Sequence, residues 1–229
     1  MPAARQPGRP YPRPPMNTTL PHWVQLFHLL IELGGTLAFA MSGILAAARK
    51  RLDAVGVFVV AFITAFGGGT LRDILLDQRP FFWVRQVEWV WVVLGLCAVS
   101  MLLLKKHHFA ITERAIEWPD ALGLGLFAAT GVHQALAQNM PVLIAVMMGV
   151  VTGVFGGVLR DMVCNEIPTT FKDRSPYALC AFACAWVYVL GWTLDLSLPA
   201  AVSACVLVTA GLRVLSVLRG WKLPDWKHE

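Results

Sequence analysis

The heptapeptide Gly67-Gly68-Gly69-Thr70-Leu71-Arg72-Asp73 returns 88 residues later as Phe155-Gly156-Gly157-Val158-Leu159-Arg160-Asp161, each copy inside a long apolar run. The register extends without a gap. Gly35 pairs with Gly123, Phe39 with Phe127, Ala40 with Ala128, Gly43 with Gly131, Thr64 with Thr152 and Pro80 with Pro168. Glu32 with Asp120, Ser42 with Thr130 and Asp77 with Asn165 are conservative pairs in the same register. Chance aligns two apolar helices loosely. It does not also align two glycine runs, two Arg-Asp pairs and two following prolines, so the chain reads as a duplication.

Composition places the duplicated unit in lipid. Of 229 residues, 57% are hydrophobic and only 14% charged, whereas soluble domains are roughly a quarter charged. A bilayer-spanning helix needs about 20 mainly apolar residues. Seven candidates answer: Leu26–Ala48, Ala54–Leu76, Val87–Leu104, Ala121–Leu136, Pro141–Cys164, Tyr177–Trp192 and Leu198–Leu218. Trp23, Trp83, Trp89, Trp118, Trp192 and Trp221 fall near span ends, where interfacial aromatics gather.

Three spans per repeat is an odd number, so the second copy enters the bilayer from the opposite face. The expected fold is an all-α membrane protein of seven transmembrane helices, arranged as two inverted three-helix repeats plus one C-terminal helix. Residues 1–22, rich in proline and carrying Arg5, Arg9 and Arg13, read as a disordered tail and not as a cleaved signal peptide. The membrane domain covers 23–220, with repeat one about 26–104, repeat two about 118–192 and the seventh helix 198–218; residues 221–229 form a cytoplasmic tail.

Charge sets the orientation. Arg5, Arg9, Arg13, Arg79 and Arg85 lie on one side of the bilayer. Arg49, Lys50, Arg51, Lys105, Lys106, Arg114, Lys172, Arg174, Arg213, Arg219, Lys222 and Lys227 lie on the other. The richer side should be cytoplasmic, with the N-terminus outside and the C-terminus inside. The basic excess is thus a topology signal, and no nucleic-acid partner is expected.

Glycines inside a span point to a helix break facing a cavity. Gly67, Gly68 and Gly69 begin about fourteen residues into the second span, roughly 20 Å deep, and Gly156 and Gly157 lie at similar depth from the other face. Unwinding there would free carbonyls for a dehydrated monovalent cation, or expose a half-helix N-terminus to a carboxylate. Close packing through small residues is the plainer reading of such glycines.

Arg72, Asp73, Arg160, Asp161 and Glu32 are the remaining candidates. Charge in a span usually faces a pore or a partner, so these read as gating or structural ion pairs. Adjacent residues do not share a helical face, so each arginine is expected to reach an acid of the other repeat or another subunit. Snorkelling to the interface is the simpler alternative. His133 reads as a packed polar residue, and the five cysteines as small buried hydrophobes. No catalytic set, nucleotide fingerprint or metal motif appears; neither enzyme activity nor a cofactor is expected.

The spans ending in GGGTLRDILL and FGGVLRDMVCNEIP, the three-span repeats and the seventh helix resemble the bacterial glycine transporter domain family, distantly related to the trimeric intracellular cation channels. The resemblance covers about Leu26 to Leu218. It implies a bacterial plasma-membrane protein, kinked second and fifth helices around a pore in each protomer, and a homotrimer. It also implies either potassium-type cation conduction or uptake of glycine. Sparse intramembrane charge favours the channel over a transporter of a small zwitterion, and the lack of long soluble loops disfavours a scaffold.

Overall fold

The computed structural model describes residues 22–106, 112–171 and 176–219. The proline-rich tail, the last ten residues and the segment holding Lys172 and Arg174 lie outside them. The described residues are helical, without a strand: α1 (His22–Arg49), α2 (Ala54–Leu75), α3 (Phe82–Arg85), α4 (Val87–Lys106), α5 (Glu113–Ala137), α6 (Val142–Val163), α7 (Tyr177–Thr193) and α8 (Leu198–Arg219).

Helix ends follow local chemistry. Asp53 accepts the Gly56 N–H at 2.8 Å and Thr112 the Ala115 N–H at 3.3 Å, so each N-terminus has a side-chain cap. Thr112 starts α5 eight residues before the span expected at Ala121, and Pro119 is accommodated inside the helix. At the C-termini, Arg51 and Asn139 carry positive φ of 55° and 59°, Asp77 and Asn165 of 50° and 55°. In each case the two N–H groups after the helix bond back to its last turn, as in Leu52 to Ala47 and Met140 to Ala135. These positions are 88 apart, and α2 and α6 begin and end 88 apart as well.

α1, α2, α5 and α6 form the centre; α4 packs on α2 and α1, α7 on α6 and α5, and α8 on α7 and α5. The central contacts come in matched pairs. Gly35 faces the ring of Phe127 and Gly123 that of Phe39. Gly68 faces the Thr152 carbonyl oxygen, and Gly156 that of Thr64. In each pair one position climbs as the other falls, so α1 crosses α5, and α2 crosses α6, in antiparallel sense.

Among the described residues, four helices are long and apolar enough to cross a membrane: Leu26–Arg49, Ala54–Leu75, Val142–Val163 and Leu198–Ser216. α4 and α7 hold the shorter apolar stretches Val87–Leu103 and Tyr177–Thr193. α5 carries Glu117 and Asp120 in its first turns, which lowers its apolar share.

One sequence expectation is refined and one corrected. Trp83 and Trp89 fall near helix ends as expected, but they also pack inward: Trp83 Nε1 donates to Thr70 Oγ1 at 3.0 Å, and Trp89 is buried against Phe82. Cys184 and Cys205 are joined in a disulfide between α7 and α8, while Cys97, Cys164 and Cys180 are buried free thiols.

Candidate functional site

The glycines do not break their helices. α2 runs unbroken through Gly67, Gly68 and Gly69, and α6 through Gly156 and Gly157. The expectation of freed carbonyls fails because the lost side chains serve contact instead. A Cβ on Gly68 would strike the Thr152 backbone, and one on Gly156 would come within 2.5 Å of the Thr64 carbonyl oxygen. Gly67 receives Leu159 and Gly69 receives the Phe82 ring. The two helices therefore cross backbone to backbone, with their amides still paired internally, as small residues in membrane helices permit.

Each glycine stretch ends on a buried charge cluster. Arg72 is fully buried and does not snorkel. Its Nε donates to Asp73 Oδ1 at 2.9 Å and its Nη1 to Glu32 Oε1 at 3.1 Å. Asp73 Oδ2 also accepts the backbone N–H of Phe82 at 2.7 Å, which folds the chain after α2 over the cluster and lays the Phe82 ring beside the guanidinium. Gln134 of α5 donates to Glu32 at 3.1 Å.

The second cluster repeats the first. Arg160 Nε donates to Asp161 Oδ1 at 2.8 Å, and its Nη1 reaches Asp120 and Ser42. Asp161 Oδ2 accepts from the Thr169 backbone at 2.9 Å. The Tyr177 hydroxyl, Asp120 Oδ1 and Arg160 Nη2 converge over Gly157, where a Cβ would find them at 3.0, 3.4 and 3.8 Å. Arg213 of α8 lies over the Tyr177 ring at 4.9 Å.

Both arginines thus find acids within their own half, not across halves. Sequence adjacency does not prevent the Arg72–Asp73 pair, because the long arginine side chain folds back along the helix to its neighbour's carboxylate. Glu32 meets an arginine within the helices, as an ion-pair candidate should. Asp120 is buried at 2% exposure. Within the clusters, each half reaches the other through a neutral side chain: Gln134 to Glu32 in one, Ser42 to Arg160 in the other.

Beside the second cluster lies a cavity of about 100 Å³. Asp120, Arg160 and Asp161 line it, together with Arg49, Lys50, Glu117, Glu166 and Arg213. Among the described residues no group of three or more His, Cys, Asp or Glu side chains could hold a metal. His133, without a partner in sequence, has two in space: Nδ1 lies 2.8 Å from Tyr188 Oη, and the ring 4.8 Å from that of His28. Gln134 and Tyr177 were not expected at the site from sequence, and Ser42 only as the register partner of Thr130; Gln134 stands beside His133 and Tyr177 opens its apolar run, so neither carries a signal of its own.

The chain matches a family model, curated relatives and solved structures. The family model described as glycine transporter matches residues 29–105 and again residues 117–193, an offset of 88 once more. A UPF0126 membrane protein of Vibrio cholerae is 41% identical over 149 residues, 63% of this chain and 60% of that protein. The match thus spans less than two thirds of the Vibrio relative's length. The inner membrane protein YadS of Escherichia coli K12 is 33% identical over 196 residues, 86% of this chain and 94% of that protein. Among solved structures, a TRIC trimeric intracellular cation channel orthologue from Rhodobacter sphaeroides matches with a TM-score of 0.79 at 32% identity, covering 86% of this chain and 100% of that one. A prokaryotic TRIC channel in 0.5 M KCl has the same TM-score at 26% identity, over 87% and 100%.

Proposed function

The chain belongs to the glycine transporter family, and we propose that it is a monovalent, potassium-type cation channel of a bacterial inner membrane. The observation that carries this reading is the likeness, at 32% identity and over 100% of its chain, to a solved cation channel. By the same likeness we assign a homotrimer with a pore in each protomer, beside the crossing of α2 and α6 at Gly67, Gly68, Gly69, Gly156 and Gly157. Arg72 with Asp73 and Glu32, and Arg160 with Asp161, brace the two ends of that crossing as structural or gating pairs.

The proposed topology is seven spans, α1, α2, α4, α5, α6, α7 and α8, with the halves inserted in opposite senses. The antiparallel matched contacts and the doubled family match support it. The lysine and arginine bias supports an outer N-terminus and a cytoplasmic C-terminus.

A carrier for a small zwitterion such as glycine is the second reading. The cavity favours it, since carboxylates and basic groups line the same space, and such a solute carries both charges. Purified protein in liposomes separates the two. Potassium flux that reverses at the cation equilibrium potential, without saturable glycine uptake, is the expected result; saturable uptake without cation flux would overturn the channel.

A further inference from the structure

The charge cluster is duplicated, but the charged lining in front of it is not. Arg49, Lys50, Glu117 and Glu166 line the cavity beside Arg160. The residues 88 positions away are Ala137, Gln138, Leu29 and Gln78. At these four positions the second cluster is faced by ionised groups where the first is faced by neutral ones.

The fastenings differ in the same way. Lys50, in the turn after α1, meets Glu166, just beyond α6, with Nζ 2.7 Å from Oε1; their side chains are 35% and 39% exposed. At the equivalent place on the other end, Gln138 donates to the Leu76 carbonyl at 3.1 Å. One half is tied to the other by a half-exposed ion pair at the first end and by a neutral amide at the second.

We propose that Lys50 and Glu166 form a latch between the two halves at the mouth of this cavity, and that its release admits solute to the Arg160 cluster. The last clause rests on the permeation reading; the latch itself does not. An ion pair this exposed biases an opening by no more than about fivefold, so it yields to thermal motion. Salt screens it.

Cys164 lines the cavity and is buried at 8% exposure, which makes it a native reporter of opening. The other free thiols, Cys97 and Cys180, are removed as C97A/C180A in the full chain reconstituted in nanodiscs. Modification of Cys164 by a cationic methanethiosulfonate is then followed by intact mass. Release of a latch speeds the reaction up to about fivefold in both K50Q and E166Q, and the swap K50E/E166K restores the parental rate. High salt brings the parent up to the rate of the single variants.

A role confined to local potential gives the opposite signs: a cationic reagent reacts faster in K50Q and slower in E166Q. That pattern overturns the latch, as does an unchanged rate in both variants or a swap that stays fast. K50R, which retains the pair, keeps the parental rate and controls for disturbance of the turn. The assay reads no flux, so a protein that conducts no cation would sink the channel reading alone.

Discussion

Phe39 and Phe127, 88 positions apart, stack with ring centroids 5.4 Å apart and planes 9° from parallel. Each ring also covers the other half's glycine, Phe39 over Gly123 and Phe127 over Gly35. Both are buried at 1% exposure. The pair forms the centre of the α1–α5 contact.

Truncating either ring opens a void where the halves meet. Phe39→Ala and Phe127→Ala are each expected to cost about 3–5 kcal/mol, measured by unfolding in detergent. Because the rings touch, the double variant should cost less than the sum of the two. Full additivity would mean that the stack contributes nothing of its own.

Gly68→Ala and Gly156→Ala place a methyl group against the backbone of the other helix, and backbone cannot step aside. Both are expected to abolish monodisperse protein in size-exclusion chromatography. Gly95→Ala and Gly211→Ala, where nothing lies within 4 Å, are expected to behave as the parent. Folded Gly68→Ala at normal yield would contradict the crossing.

Arg72→Met strands two buried carboxylates, Asp73 and Glu32. Loss of one side of a buried ionic cluster costs about 3–5 kcal/mol, and Arg160→Met should behave alike. Glu32→Gln should cost less, because the amide oxygen still accepts from Arg72. Lost assembly with unchanged ion selectivity in the surviving fraction makes the arginines braces; altered selectivity at normal assembly makes them part of the solute path.

Cys184 and Cys205 are expected not to alkylate when the protein is denatured without reductant. Mass spectrometry should then find the three free thiols, Cys97, Cys164 and Cys180, modified. Prior reduction should add the disulfide pair. Five modified thiols without reductant would exclude the bond.

The helices were legible because their causes are local. Apolar run length placed α2 and α6 to within a residue or two, and the 88-residue register brought Glu32 and Asp120 into view before any contact was known. The glycines were misread for a tertiary reason. Whether such a run unwinds or packs depends on what lies opposite, and Thr152 lies opposite Gly68 from 84 positions away. Arginine pairing failed on reach: helical-face rules locate Cβ atoms, while the guanidinium of Arg72 sits far enough out to return to Asp73. Ser42 shows in the register and Gln134 beside His133, but only the fold says which cluster each joins. The Lys50–Glu166 contact joins two turns 116 residues apart, and nothing in either turn names the other.

The crossing of α2 and α6 also limits how the molecule can move. Two rods in backbone contact near their midpoints can rotate about that point but cannot separate there without opening a gap. Gly68 against Thr152 and Gly156 against Thr64 thus act as the fulcrum of a pair of scissors. Spreading the blades at one side of the fulcrum changes the spacing at the other, so the two ends of the protein are mechanically joined through four residues that carry no charge.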